Sequence, residues 1–283
     1  MKSMTSEVIS AESGSTPSFG ERLRGHRRVL GWSQERLGFA ANVSSRHVSC
    51  LESGKAQPSR AMVLRLSDVL SLALRERNTL LVSAGFAGVY AATPLHAQAM
   101  ASVNRAVDLL LAQQSPYPAL AIDRCWNVLR VNDGARRLLD TFLDASRVPA
   151  GVTANLVKAT LHPEGLRPHI VNWSEVASLL LERVERAAQA HPTDDERRAL
   201  RDEIRTYPGV VRLPVPEPGG APAAALRLRH GAHELTMFAC LTTIGTPLDL
   251  TTEELTLEAL FPADDVTERW FRTPPPRNEP SGR

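Results

Sequence analysis

The 283-residue chain has 33 Lys and Arg against 31 Asp and Glu, a net charge of +2, and is 43% hydrophobic, enough for two domains with cores of their own. Apolar runs such as Leu179–Leu181 fall far short of the ~20 residues a spanning helix needs. Residues 1–18 lack the apolar centre of an export signal, and three scattered cysteines, Cys50, Cys125 and Cys240, exclude a disulfide framework. The expectation is a cytoplasmic protein with no membrane partner.

Charge is unevenly placed: residues 1–90 hold 12 Lys and Arg against 7 Asp and Glu, whereas the remainder holds 21 against 24. Such asymmetry is the footprint of a nucleic-acid-binding head on a body with another task. So small an excess implies that affinity at physiological salt depends on a homodimer.

Residues 1–18, rich in Ser, Thr and Glu, read as a disordered tail. Phe19, Leu23, His26 and Leu30 then recur at helical spacing among Arg22, Arg24, Arg27 and Arg28, with Gly31 at the stop. Ser33 caps a second helix that buries Leu37 and Ala41 and ends at Asn42, a residue tolerant of the left-handed conformation. Val43 plugs the corner, and Ser44 caps a third helix that buries Val48 and Leu51 and stops at Gly54. The early positions of that helix carry Ser45, Arg46, Ser49 and Cys50, where an ordinary surface helix would scatter Glu and Lys. A slim face with one guanidinium suits a groove. Gln57-Pro58-Ser59 turns the chain into a fourth helix with Val63, Leu66 and Leu70, and a fifth runs over 75–84 before Gly85.

Ser33-Gln34, the small pair Ala40-Ala41, Val43-Ser44 and the LESGK exit at 51–55 resemble the helix-turn-helix of the repressor-like XRE or Cro-type regulators. The resemblance implies a five-helix head over 19–86, double-stranded DNA as partner, and the third helix in the major groove. It implies that Gln34 holds a phosphate at its helix N-terminus, that Ser44 contacts DNA at the head of the third helix while Ser45, Arg46, Ser49 and Cys50 face bases, and that Ser53, Lys55 and Arg60 touch backbone. It also pairs Arg27 with Glu52. Arg46 is the leading base reader, because bidentate contact to guanine gives roughly 1–3 kcal/mol of discrimination. Cys50 departs from the longer polar residues common there, which leaves direct readout to Arg46. Two packed helices of an unrelated domain are the competing reading, disfavoured because five helices fit the pattern.

A connector follows from 87, and residues 95–114 put Leu95, Ala99, Val103, Ala106 and Leu110 on one side of a helix, either a lever between domains or a docked element. Pro116 and Pro118 launch two strands, Leu120–Ile122 and Trp126–Val131, joined at Asp123-Arg124 and followed by a helix capped by Asn132 or Asp133. Trp173, Val176, Leu180 and Val184 share a helix face whose charged side, ERVERAAQ, reads as solvated, and Asp194–Arg205 alternates sign in the same way. Arg227–His230 and His233–Thr243 flank the hairpin signal Gly231-Ala232, with Leu235, Met237, Ala239 and Leu241 alternating against Glu234, Thr236, Phe238 and Cys240. Thr251 or Thr252 is expected to cap a helix carrying Leu255, Leu257 and Leu260 until Pro262, and 273–283 to be a loose tail.

The strand, turn, strand, helix opening resembles a PAS domain. With NLVKATLHPEGLRPHIVNWSEVASLLLERV, RTYPGV and the run from LRLRHGAHELTM to FPAD in order, residues 18–272 resemble the MmyB-like regulators, in which a repressor-type head precedes a PAS-like body. The implied fold class is α+β: an all-α five-helix head, then a PAS-like α+β domain with an antiparallel sheet at 115–272. The implied function is ligand-responsive transcriptional regulation. No cofactor is obligatory, and a bound long-chain fatty acid is the first candidate ligand. Its chain is placed among Leu120, Ile122, Trp126, Leu156, Trp173, Met237 and Phe238, and its carboxylate on Arg130, Arg167 or His169. Two tryptophans close to basic residues stand out in a chain only 5% aromatic. The alternative is a body serving only dimerisation or protein docking.

Chemistry of other kinds is not expected. His162 and His169 lie seven apart around prolines, His230 and His233 straddle a turn, and neither pair has a helical HxxxH register or a Cys nearby. There is no GxSxG, no P-loop, no strand-borne GxGxxG, and no carboxylate pair is read as placed in an apolar stretch.

Overall fold

The computed structural model describes residues 17–149, 151–191, 194–214 and 224–273; of the tails expected at 1–18 and 273–283, all but residues 17, 18 and 273 lie outside them. The chain divides after Tyr90 into two compact units.

The first unit is five helices: α1 (Phe19–Val29), α2 (Gln34–Ala40), α3 (Ser45–Glu52), α4 (Arg60–Val69) and α5 (Leu74–Ser83). Serine starts four of them. Ser18 makes a reciprocal capping box with Glu21, so it belongs to the head and not to a tail, and Ser33, Ser44 and Ser59 each accept from an amide of the first turn of α2, α3 and α4. Each such cap contributes about 1 kcal/mol. Leu23, Leu37, Val48, Leu51, Val63, Leu66, Leu80 and Leu81 form the core of the unit, but Leu30 lies beyond the buried face of α1 and is exposed. Asn42 (φ 54°) makes the left-handed corner between α2 and α3. That corner is tight: a Cβ on Gly38 would stand 2.8 Å from the Val43 carbonyl oxygen.

The expected linker from 87 is absorbed at both ends. Asn78 Oδ1 accepts from the amides of Val89 and Tyr90 (2.8 and 3.1 Å) and its Nδ2 donates to the Tyr90 carbonyl (2.7 Å), which holds 87–90 on the head. Ala91 and Thr93 belong to the body, where the Leu250 amide donates to the Ala91 carbonyl and the Thr93 hydroxyl donates to Asp249 (2.7 Å).

The second unit is built on a five-stranded antiparallel sheet of order β2-β1-β5-β4-β3, from β1 (Ala119–Ile122), β2 (Val128–Val131), β3 (Ala225–His230), β4 (His233–Thr243) and β5 (Thr256–Pro262). Its helices are α6 (Ala101–Gln113), α7 (Asp133–Phe142), α8 (Leu156–Leu161), α9 (Trp173–Ala190), α10 (Asp195–Arg205), α11 (Leu250–Glu254) and α12 (Asp265–Arg272). On one sheet face Ala119, Ala121 and Leu257 pack under Val107 and Leu111 of α6. The opposite face meets α8, α9 and α10 through Leu120 and Ile122, and α7, α9 and α12 through Leu228, Leu235 and Met237.

Three expectations are corrected. The stretch with Leu257 and Leu260 is not a helix but β5, in the centre of the sheet; only α11 precedes it, capped by Asp249 and not by Thr251 or Thr252. A central strand buries both faces, so Leu257 faces α6 while Leu260 faces α7 and α12, and a near-continuous apolar run satisfies it. α6 begins at Ala101 and buries Val107 and Leu111; of the expected stripe Val103 packs against them, but Leu110 is 36% exposed. Its alanines bury too little area to set the rotation; the branched side chains that meet small Ala119 and Ala121 do. Trp126 lies in the β1–β2 turn at φ 61°, ahead of the strand, with the Asp123 carboxylate accepting the amides of Cys125 and Asn127. The helix α12 was not anticipated; it inserts Phe271 into the core.

Candidate nucleic-acid interface and ligand cavity

α3 is half core and half free surface. Val48 and Leu51 are fully buried, while Ser44, Ser45, Arg46 and Ser49 are exposed and Cys50 is partly so. Ser53, Lys55 and Arg60 extend this exposed surface past the helix.

The rotation of α3 is fixed at its exit. Arg27 of α1 grips Glu52 through Nε–Oε1 (2.6 Å) and Nη2–Oε2 (2.9 Å), Gln34 of α2 donates to Oε2 (2.9 Å), and Arg24 Nη2 donates to the Glu52 carbonyl (3.0 Å). One carboxylate therefore joins three helices. Burial would raise the Glu52 carboxyl, but the hydrogen bonds from Arg27 and Gln34 and the Arg27 and Arg24 charges outweigh it and hold it below its ordinary value. The side chain of Gln34 is thus occupied by the protein, leaving the first amides of α2 as what it could offer a phosphate. A second buried contact, His26 Nε2 to Glu76 Oε2 at 3.4 Å, joins α1 to α5.

In the body, a cavity of about 420 Å³ lies between the sheet and α7, α8 and α9, within the ~300–1,000 Å³ usual for small-molecule sites. Leu120, Val131, Leu138, Leu156, Val176 and Met237 supply much of its wall. Leu179 and Leu241, 42% and 52% exposed, place its mouth at solvent. Its charged lining is Glu182, Arg183, Arg186 and Glu258.

Of the ten side chains that sequence reasoning assigned to the ligand, the structure brings three to this cavity: Leu120, Leu156 and Met237. Ile122 and Trp126 are buried in the neighbouring cluster, and Trp173 packs where that cluster meets the next. Phe238 points to the other sheet face and stacks on Phe261 (5.8 Å, 20°). The three proposed carboxylate partners are elsewhere. Arg130 ties β2 to α6 through Asp108 (2.7 Å) and Asn104 (2.6 Å); Arg167 lies over the Trp173 ring and donates to the Pro208 carbonyl (2.5 Å); His169 Nδ1 sits 3.3 Å from His230 Nδ1. Among the described residues, no group of three or more His, Cys, Asp or Glu is arranged to hold a metal.

The sequence reading missed Arg183, Arg186, Glu182 and Glu258. The first three lie in ERVER, read as a solvated face, yet Arg183 borders the cavity and Glu185 is only 8% exposed. The signal for Glu258 was available: one carboxylate inside the apolar strand LTLEALF.

A family model described as the MmyB-like transcription regulator ligand binding domain matches residues 103–273, which takes in the cavity, the sheet and α12. The chain belongs to the MmyB-like transcription regulators. A helix-turn-helix domain model matches residues 18–80 of the same regulator, the head with its capped α3. Among solved structures, a chain described as an RNA-binding light-oxygen-voltage receptor is similar at 13% identity over 91% of this chain, with a TM-score of 0.28; the regulator spans 66% of that receptor chain. No match was found among curated proteins. In the MmyB-like regulator no helix of the described residues is long and apolar enough to cross a membrane.

Proposed function

We propose that the protein reads operator DNA with the Ser45, Arg46, Ser49 and Cys50 face of α3, clamps the backbone with Gln34, Ser53, Lys55 and Arg60, and changes operator affinity when an acyl-chain ligand, a fatty acid as first candidate, fills the PAS-like body. The observation that carries this is the pairing, on one chain, of a recognition helix with its polar face exposed and an apolar cavity sized for a small molecule. A ligand regulates only by binding one state of the protein better than another. The state at issue is the spacing of two heads in a homodimer, whose recognition helices must stand about one helical turn, ~34 Å, apart to read a palindrome.

The test is operator affinity with and without ligand, together with native mass spectrometry and solvent extraction of the purified protein. A released lipid and a ligand-dependent shift in affinity support the reading. A clean apo mass, no thermal shift across a series of acyl-chain acids, amides and alcohols, and a monomer on a single half-site would reject it. A second reading, a body that only pairs copies of the chain, draws on the sheet face away from the cavity, where Phe238 stacks on Phe261 and the next outward residue of the strand, Cys240, is exposed. It expects a stable dimer with operator affinity indifferent to any ligand.

A further inference from the structure

Two ion pairs line the cavity, Arg186 with Glu182 and Arg183 with Glu258, and the geometry of the second constrains what can sit there. Glu258 lies on the central strand between Leu120 of β1 and Leu241 of β4, its carboxylate 9% exposed and its partner Arg183 of α9 31% exposed. Arg183 reaches Oε2 through Nη1 at 3.4 Å and Nη2 at 3.3 Å, against 2.6 and 2.9 Å for Arg27 on Glu52 in the head. Charge-assisted pairs ordinarily close to ~2.7–2.9 Å, so this contact is loose. The other cation in the lining, Arg186, is held at the mouth by Glu182 (2.5 Å). Arg183 is therefore the cation available to a ligand inside.

A fatty carboxylate placed on Arg183 would share that guanidinium with Glu258. Two like charges would then stand side by side against an apolar wall with one counter-charge between them, an arrangement that disfavours ionisation of both. An uncharged head group with a donor and an acceptor avoids the conflict: its oxygen accepts from Arg183 and its N–H or O–H donates to Glu258, so the loose contact becomes two shorter ones and no charge is added.

We propose that this cavity takes an acyl-chain ligand whose polar end is uncharged and both donates and accepts, a primary amide or an alcohol, in preference to the free acid, with Arg183 and Glu258 as the specificity-determining pair. The proposal rests on the ligand-cavity reading above.

The experiment is calorimetric titration of the full chain with octanamide, octanol, methyl octanoate and octanoic acid at neutral pH. The amide is expected to bind at least tenfold more tightly than the acid, and the ester, which cannot donate to Glu258, more weakly than the amide. Glu258→Gln, which replaces the charge with an amide, should narrow the gap by raising acid affinity tenfold or more. An acid that binds the parent protein as tightly as the amide overturns the head-group assignment while leaving the cavity reading in place. If none of the four binds, the cavity reading falls and the proposal with it. Because the central comparison uses the parent protein, it stands even if Glu258→Gln does not fold.

Discussion

Glu52 carries the sharpest prediction. Among the described residues, Glu52→Ala leaves the Arg27 side chain, 10% exposed, with only the Trp32 carbonyl as partner (2.6 Å); it also removes the carboxylate that accepts from Gln34 and pairs with Arg24 Nε at 3.5 Å, while the Arg24 bond to the Glu52 backbone carbonyl remains. Removing one member of a buried pair costs about 3–5 kcal/mol. A unit of roughly 70 residues is stable by only ~4–10 kcal/mol in all, so the head should become marginal. At ~4–8 °C per kcal/mol for a small domain, its melting transition should fall by at least ~12 °C. Scanning calorimetry of the full chain measures the shift, and hydrogen exchange over α1, α2 and α3 assigns it to the head. The double variant Arg27→Met with Glu52→Leu should recover most of the loss, because it removes both charges together. The sign with pH follows from the lowered carboxyl: Glu52 contributes fully above the unfolded carboxylate value of ~4.3 and progressively less as pH drops through the lower folded value. The gap between parent and variant should therefore shrink in acid. A Glu52→Ala head melting within ~0.5 kcal/mol of the parent would refute the reasoning.

Other predictions address the interface and the packing. Arg46→Ala should lower discrimination at one base pair by about 1–3 kcal/mol, and equal losses on specific and random duplexes would contradict its role. Lys55→Ala should weaken all sequences alike and flatten the salt dependence by about one unit in binding isotherms. Gly38→Ala forces a Cβ to within 2.8 Å of the Val43 oxygen and 3.1 Å of the Ser45 amide, and should cost ~1–3 kcal/mol in the head transition. Gly25→Ala in α1, with nothing within 4 Å of the new atom, should instead stabilise by ~0.4–1 kcal/mol. Burial pushes the Cys125 thiol up to about 12, so a thiol reagent at neutral pH should modify exposed Cys240 and spare Cys125 until the protein unfolds. Operator DNA should protect Cys50, and modification of Cys50 at an unchanged rate in the complex would remove it from the groove.

The head was legible in the sequence because its signals are local. A serine before an apolar repeat at 33, 44 and 59, Asn42 at a left-handed corner and Gly54 and Gly85 at helix ends each act within one turn of chain, and each does in the structure what its chemistry dictates. The hairpin at Gly231 and the alternation along β4 follow the same rule. What only the tertiary structure decided is which long-range neighbours those elements meet. Leu257 and Leu260 belong to a strand because β1 and β4 flank them on both sides. Arg130 and Arg167 are occupied by partners 22 and 41 residues away along the chain, and Arg183 and Glu258 meet in the cavity wall across 75 residues. Capping and turn energies depend on a few adjacent dihedrals and are written in neighbouring letters, whereas a site assembled from five strands and three helices exists only once the sheet has set its register.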